Sequence, residues 1–122
     1  MINVLIADDQ NFVRKTLESY LESESDLNII GFADNGKTAI DQVDSLRPDV
    51  VLMDIEMPVM DGVEASRRIR GSNKAYSTVP IIAHTGDSSP ITLDKIGSSG
   101  MSDFIVKPAD KNRLFDKIAN WI

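Results

Sequence analysis

Six residues of this chain stand at or just beyond the ends of short apolar runs, and their chemical types belong together. Asp8 and Asp9 follow INVLIA, Asp54 closes DVVLMD with Glu56 two residues on, Thr85 closes PIIAHT, and Lys107 closes DFIVK. Asp8, Asp9 and Asp54 brought to one place would repel one another. A carboxylate pair ~4 Å apart costs roughly 4 kcal/mol at an effective dielectric of ~20. Such a cluster needs a compensating cation. With no histidine or cysteine among the donors, hard oxygens suit Mg²⁺, which keeps several waters and often accompanies a phosphoryl group. Lys107 adds a second positive charge and Thr85 a hydroxyl donor. Together these groups fit an aspartyl phosphate, with the Asp54 carboxylate as nucleophile and the others neutralising phosphoryl oxygens.

For these residues to meet, the runs that carry them must lie side by side. The runs at 2–7, 27–33, 49–54, 80–85 and 103–107 are continuously apolar, the pattern of strands covered on both faces. Between them, Val13, Leu17, Tyr20 and Leu21 have the spacing of a helix that buries one stripe. Ala39, Ile40, Val43 and Leu46 predict a second, capped by Asn35 and stopped by Pro48. A third covers 61–71 and ends at Gly71-Ser72-Asn73. Leu114, Ile118 and Ile122 line the last, with Asp110 as cap. The segment 88–98 is the weakest helix, started by Ser89-Pro90 and ended by Gly97-Ser98-Ser99-Gly100. Five strand–helix units in strict alternation predict a doubly wound α/β fold, a five-stranded parallel sheet with helices on both faces. Ligands of such sheets gather beyond the carboxyl ends of the strands, at the topological switch point. All the chemical residues would share that rim.

Composition narrows the function classes. The 122 residues suffice for one domain, and a net charge of −6 speaks against binding nucleic acid, which needs clustered Lys and Arg. There is no cysteine, so disulfides and thiolate metal sites are excluded. MINVLIADDQ lacks a basic segment followed by a long apolar run, and no run approaches the ~20 residues of a membrane span, so a cytoplasmic protein without membrane contact is expected. His84 alternates to the other side of its strand from Thr85 and reads as a packed core residue. Phe12 falls on the exposed side of the first helix, and Trp121 reads as packing.

In order and spacing, Asp8-Asp9, VLMDIEMPVMDG, IIAHTGD and DFIVKP together resemble the receiver domain of two-component response regulators, over nearly the whole chain. The resemblance implies a flavodoxin-like (βα)5 fold with strand order 2-1-3-4-5, and residues 1–122 as one receiver domain without an output domain. It implies Asp54 as phosphoacceptor, with Mg²⁺ bound directly by Asp9, through water by Asp8, and by Asp54 and the backbone carbonyl of Glu56. Thr85 and Lys107 would hold phosphoryl oxygens, Phe104 would be the switch aromatic, and Lys107-Pro108 would be a cis peptide. Glu56 and Asp87 would flank the path of the hydrolytic water. The implied donor is a sensor histidine kinase or histidine phosphotransfer protein, docking around Phe12, Thr16, Pro108 and Ala109. The signal would pass through the fourth helix, fifth strand and fifth helix to a downstream effector or tethered output domain. Two other classes fit less well. A haloacid-dehalogenase-type phosphohydrolase carries a second Asp two residues after its nucleophile, where this chain has Glu56, and this chain has no cap insertion. A pseudo-receiver, acting only in docking, normally loses an acid or the Lys, and none is lost here. A switch that catalyses only its own phosphorylation and dephosphorylation is therefore expected.

Overall fold

Strands β1 (Ile2–Ala7), β2 (Leu27–Ala33), β3 (Val50–Asp54), β4 (Ile81–Thr85) and β5 (Asp103–Val106) pair in parallel in the order β2-β1-β3-β4-β5, in a computed structural model that describes residues 1–122. Register aligns Val4 with Val50, Met53 with Ala83 and His84 with Ile105. Every residue of β3 and β4 is buried, as continuous apolar runs require when helices cover both faces. The equally apolar LNIIGFA departs from that expectation. It forms the edge strand β2, only partly covered, with Phe32 36% exposed.

The helices divide between the two faces. On one side α1 (Asn11–Glu22) and α5 (Lys111–Asn120) set Leu17, Leu21, Leu114 and Ile118 against Val4, Ile6, Leu52 and Ile82. On the other, α2 (Gly36–Leu46), α3 (Gly62–Arg70) and α4 (Pro90–Ser98) set Ala39, Val43, Ala65, Ile69 and Ile96 against Leu5, Val51, Met53 and Ile81. Strand alternation sorts the two sets, odd-numbered residues of β1 to one core and Val4 and Ile6 to the other.

Local chemistry sets where the helices begin. Asn35 accepts from the Thr38 N–H at 2.8 Å, Asp61 from Glu64 at 2.8 Å and Asp110 from Arg113 at 3.3 Å. Two apolar positions depart from their expected stripes. Leu46 is 37% exposed, because the last turn of α2 lays it over Gly31 of edge strand β2 with nothing outside it. Ile122 lies beyond α5, which stops at Asn120 where Trp121 turns its Nε1 to the Asp103 carboxylate, and it is 49% exposed. A short 3₁₀ turn, Ala75–Thr78, precedes β4 and was not visible in the periodicity. No helix is long and apolar enough to cross a membrane.

Candidate functional site

The strand order reverses between β1 and β3, and the acidic residues lie at their carboxyl ends. Asp8 follows β1 directly, its N–H donating to the Ala33 carbonyl at 2.8 Å. Asp54 is the last residue of β3. Their side chains are almost fully buried, whereas Asp9 is exposed at the rim. One carboxylate oxygen from each of Asp8, Asp9 and Asp54 lies within 4.8 Å of the others. Lys107 reaches across from the end of β5, its Nζ 3.1 Å from Asp8 Oδ2 and 3.4 Å from Asp54 Oδ1. Its backbone N–H donates to the Thr85 carbonyl at 2.7 Å, and the following peptide bond to Pro108 is cis. Burial pushes the Asp54 carboxyl up to about 6, and Asp8 adds to the rise against the opposing pull of Lys107.

The loop after β3 holds Asp54 in place by close packing. A Cβ on Gly62 would come within 2.0 Å of the Asp54 carbonyl oxygen and 2.8 Å of Met53, so only glycine lets α3 start there. The Gly62 N–H donates to Ile55 at 2.8 Å. Before it, Val59 has φ 67°, and the Met60 N–H donates to the Pro58 carbonyl at 2.7 Å, closing a three-residue turn. Positive φ is unfavourable for a β-branched residue, and no local pattern around Val59 signals it.

These residues open on a cavity of about 1070 Å³, lined among others by Asp9, Asp54, Glu56, Thr85, Asp87 and Lys107. The donor set fits a hard divalent cation: three carboxylates in mutual reach, no soft ligand, and a largely buried Asp54 whose charge needs compensation. Lys107 lines the cavity, whereas Asp8 reaches the cluster without lining it. Asp8 is buried beneath it, with Oδ1 taken by the Gln10 N–H at 2.8 Å.

Thr85 is 4% exposed, and its hydroxyl is committed to Asp87. It donates to the Asp87 carbonyl and accepts from the Asp87 N–H, both at 3.0 Å. The Asp87 carboxylate lines the same cavity but is engaged at the head of α4. Phe104 pairs in register with Ala83, packs half-buried against the α3–α4 core, and has Lys117 Nζ 5.7 Å from its ring centre.

Phe12, Thr16, Pro108 and Ala109 also come together. With Tyr20 and His84 they line an apolar groove of about 310 Å³ between α1 and the loop after β5. Phe12 is 81% exposed, whereas His84 is 5% exposed at the groove floor. Neither ring nitrogen of His84 has a hydrogen-bond partner in the protein, and burial followed by the Lys107 charge lowers its pKa to about 4, so the ring is neutral at pH 7.

Sequence reasoning missed Arg70. Its Nε donates to the Gly100 carbonyl at 2.7 Å and its Nη1 to the carbonyls of Val79 at 2.7 Å and Ser77 at 3.0 Å. That clamp ties the end of α3 to the start of β4 and the turn after α4. Only its place near the end of the expected helix 61–71 was readable beforehand.

Comparison with known proteins agrees with this geometry. The model of the response regulator receiver domain matches residues 4–119. The CAI-1 autoinducer sensor kinase/phosphatase CqsS of Vibrio cholerae is 43% identical over 119 residues, covering 98% of this chain and 17% of that protein. The chain spans less than two fifths of the length of the first curated relatives it matches, which include protein-glutamate methylesterases. Among solved structures, the response regulator domain of Thermotoga maritima CheB is 32% identical with a TM-score of 0.85, covering 99% of this chain and 96% of that one. The receiver domain of a Pseudomonas aeruginosa sensor histidine kinase, described with a magnesium ion coordinated in its active-site cleft, is 28% identical with a TM-score of 0.89, covering 98% and 96%. The chain belongs to the response regulator receiver domains, the phosphoacceptor switches of two-component signalling.

Proposed function

We propose that Asp54 accepts the phosphoryl group and that Asp8, Asp9, Asp54 and the backbone carbonyl of Glu56 hold Mg²⁺ beside it. The observation that carries this is Lys107 Nζ lying between Asp8 and Asp54, at 3.1 and 3.4 Å, within a three-carboxylate cluster. One oxygen of the Asp54 carboxylate attacks the phosphorus of a phosphoimidazole, the P–N bond breaks, and its electron pair leaves with the imidazole nitrogen. Lys107 and Thr85 bind phosphoryl oxygens of the product and stabilise their charge. When bound, the metal would supply positive charge that offsets the negative charge of the carboxylates and the phosphoryl group.

The donor is a sensor histidine kinase or a histidine phosphotransfer protein, and it docks on the groove of Phe12, Thr16, Pro108 and Ala109, which shares Gln10 and Lys107 with the cavity of the acceptor. The chain itself turns over no other substrate and works in the cytoplasm. Phe104 turns inward when Thr85 moves to the phosphoryl group, and α4, β5 and α5 carry the change to an effector or a tethered output domain. Acetyl phosphate with Mg²⁺ tests the chemistry. Wild type gains one labile phosphoryl group, a docking-only domain gains none, and a phosphohydrolase releases phosphate from added esters.

A further inference from the structure

A chain of hydrogen bonds joins the acceptor site to the first turn of α4. We propose that Asp87 is a positioning residue, a latch that holds Thr85 in its resting geometry and releases the start of α4 when Thr85 turns to a phosphoryl group. The inference rests on Asp54 being the phosphoacceptor.

A threonine hydroxyl has one proton to donate. Here it goes to the Asp87 carbonyl at 3.0 Å, while the same oxygen accepts the Asp87 N–H at 3.0 Å. Donation to a phosphoryl oxygen therefore removes the bond to the Asp87 carbonyl. The Asp87 side chain passes that loss to α4. Its Oδ1 accepts from the Ser89 N–H at 2.8 Å, and its Oδ2 from the hydroxyls of Thr92 at 2.6 Å and Ser89 at 3.2 Å. Ser89 is in turn the cap of α4, its Oγ accepting the Thr92 N–H at a long 3.4 Å. The Thr92 and Ser89 bonds hold the Asp87 carboxyl below its ordinary range, as expected of a carboxylate that serves as acceptor.

Two further features suit a latch. Asp87 is exposed, so its bonds exchange readily for water, and a Cβ on Gly86 would meet nothing within 4 Å, so open space lies beside the loop. The far end of α4 is anchored. Arg70 grips the Gly100 carbonyl at 2.7 Å and the Ser102 hydroxyl at 3.3 Å. Release at Asp87 then swings the N-terminal end of α4 about a fixed C-terminal end.

The test measures beryllofluoride affinity with Mg²⁺ in wild type, Thr92→Val, Thr92→Ser and Asp87→Ala, each also carrying Thr85→Ala. Thr92→Val and Asp87→Ala are expected to tighten binding about three- to tenfold, the scale of one lost hydrogen bond. Thr92→Ser keeps the hydroxyl and should match wild type, and the tightening should vanish in the Thr85→Ala background. Amide exchange at residues 89–93 should quicken when beryllofluoride binds wild type. Unchanged or weaker affinity in folded Thr92→Val, or the same tightening without the Thr85 hydroxyl, overturns the latch alone. Failure of wild type to bind beryllofluoride overturns the phosphoacceptor reading and the latch with it.

Discussion

Lys107 stands between two carboxylates that burial would otherwise set against each other, and the balance can be upset from either side. Asp54 is 7% exposed with its carboxyl raised to about 6, so Asp54→Asn removes a charge the fold disfavours. Without Mg²⁺ at neutral pH that variant should be more stable by on the order of 1–3 kcal/mol, given about 1.36 kcal/mol per pKa unit. Lys107→Met should act the opposite way. It leaves Asp8, 1% exposed, without its cation, and breaking such a buried pair costs about 3 kcal/mol. Urea melts of both variants check the pair, and a stabilised Lys107→Met would contradict the ionic balance described here. Most of these residues were readable because they sit where apolar runs stop, and a strand end is a position that the topology must bring to the rim. The positive φ of Val59, the clamp of Arg70 and the bonds of Asp87 to Ser89 and Thr92 were not. Their roles depend on loop backbone paths and on contacts such as Arg70 to Gly100, thirty residues apart, which no local pattern encodes.

At the scale of elements, two side-chain clamps hold the face expected to carry the signal. Arg70 ties α3 to β4 and to the turn after α4 through a planar fork of donors. Lysine cannot reproduce that fork, so Arg70→Lys should lower stability by about 1–3 kcal/mol, read as a fall in Tm with the far-ultraviolet circular dichroism retained. The second clamp joins β5 to the end of α5. Lys117 Nζ lies 3.0 Å from Asp103 Oδ1, and Trp121 Nε1 donates to Oδ2 at 3.1 Å. Burial raises the Asp103 carboxyl, but the bonds from Trp121, Lys117 and the Phe104 N–H outweigh it and hold it below its ordinary value. A carboxyl depressed in the folded state contributes stability above its unfolded pKa and loses it as pH falls through the folded one. The Tm gap between wild type and Asp103→Asn should therefore be widest near neutrality and close as pH falls below about 4. A gap independent of pH would assign the clamp to packing alone. The starts of α2, α4 and α5 were legible because Asn35, Ser89 and Asp110 cap by local geometry, whereas Asp61, expected as the first residue of the third helix, is its cap. The covering of β2 was not, since an edge strand with the same apolar run differs only in what lies beside it.

For the whole molecule, alternation of strands and helices was enough to give a doubly wound parallel sheet, but the order β2-β1-β3-β4-β5 came only through resemblance. Periodicity says which face of an element is apolar, not which neighbour it takes. That order places the acids of β1 and β3 side by side, and a cation binding the folded state alone should stabilise it by RT ln(1 + [L]/Kd). Millimolar Mg²⁺ should raise the Tm of wild type, and less so that of Asp9→Asn. An unchanged wild-type Tm would mean that the cluster does not bind the ion. The central claim is tested most directly by intact-mass spectrometry after incubation with acetyl phosphate and Mg²⁺, followed by peptide mapping. One phosphoryl group per chain is expected, mapped to Asp54 and absent from folded Asp54→Asn. Labelling that persists in Asp54→Asn, or that maps to another residue of the wild type, would contradict it.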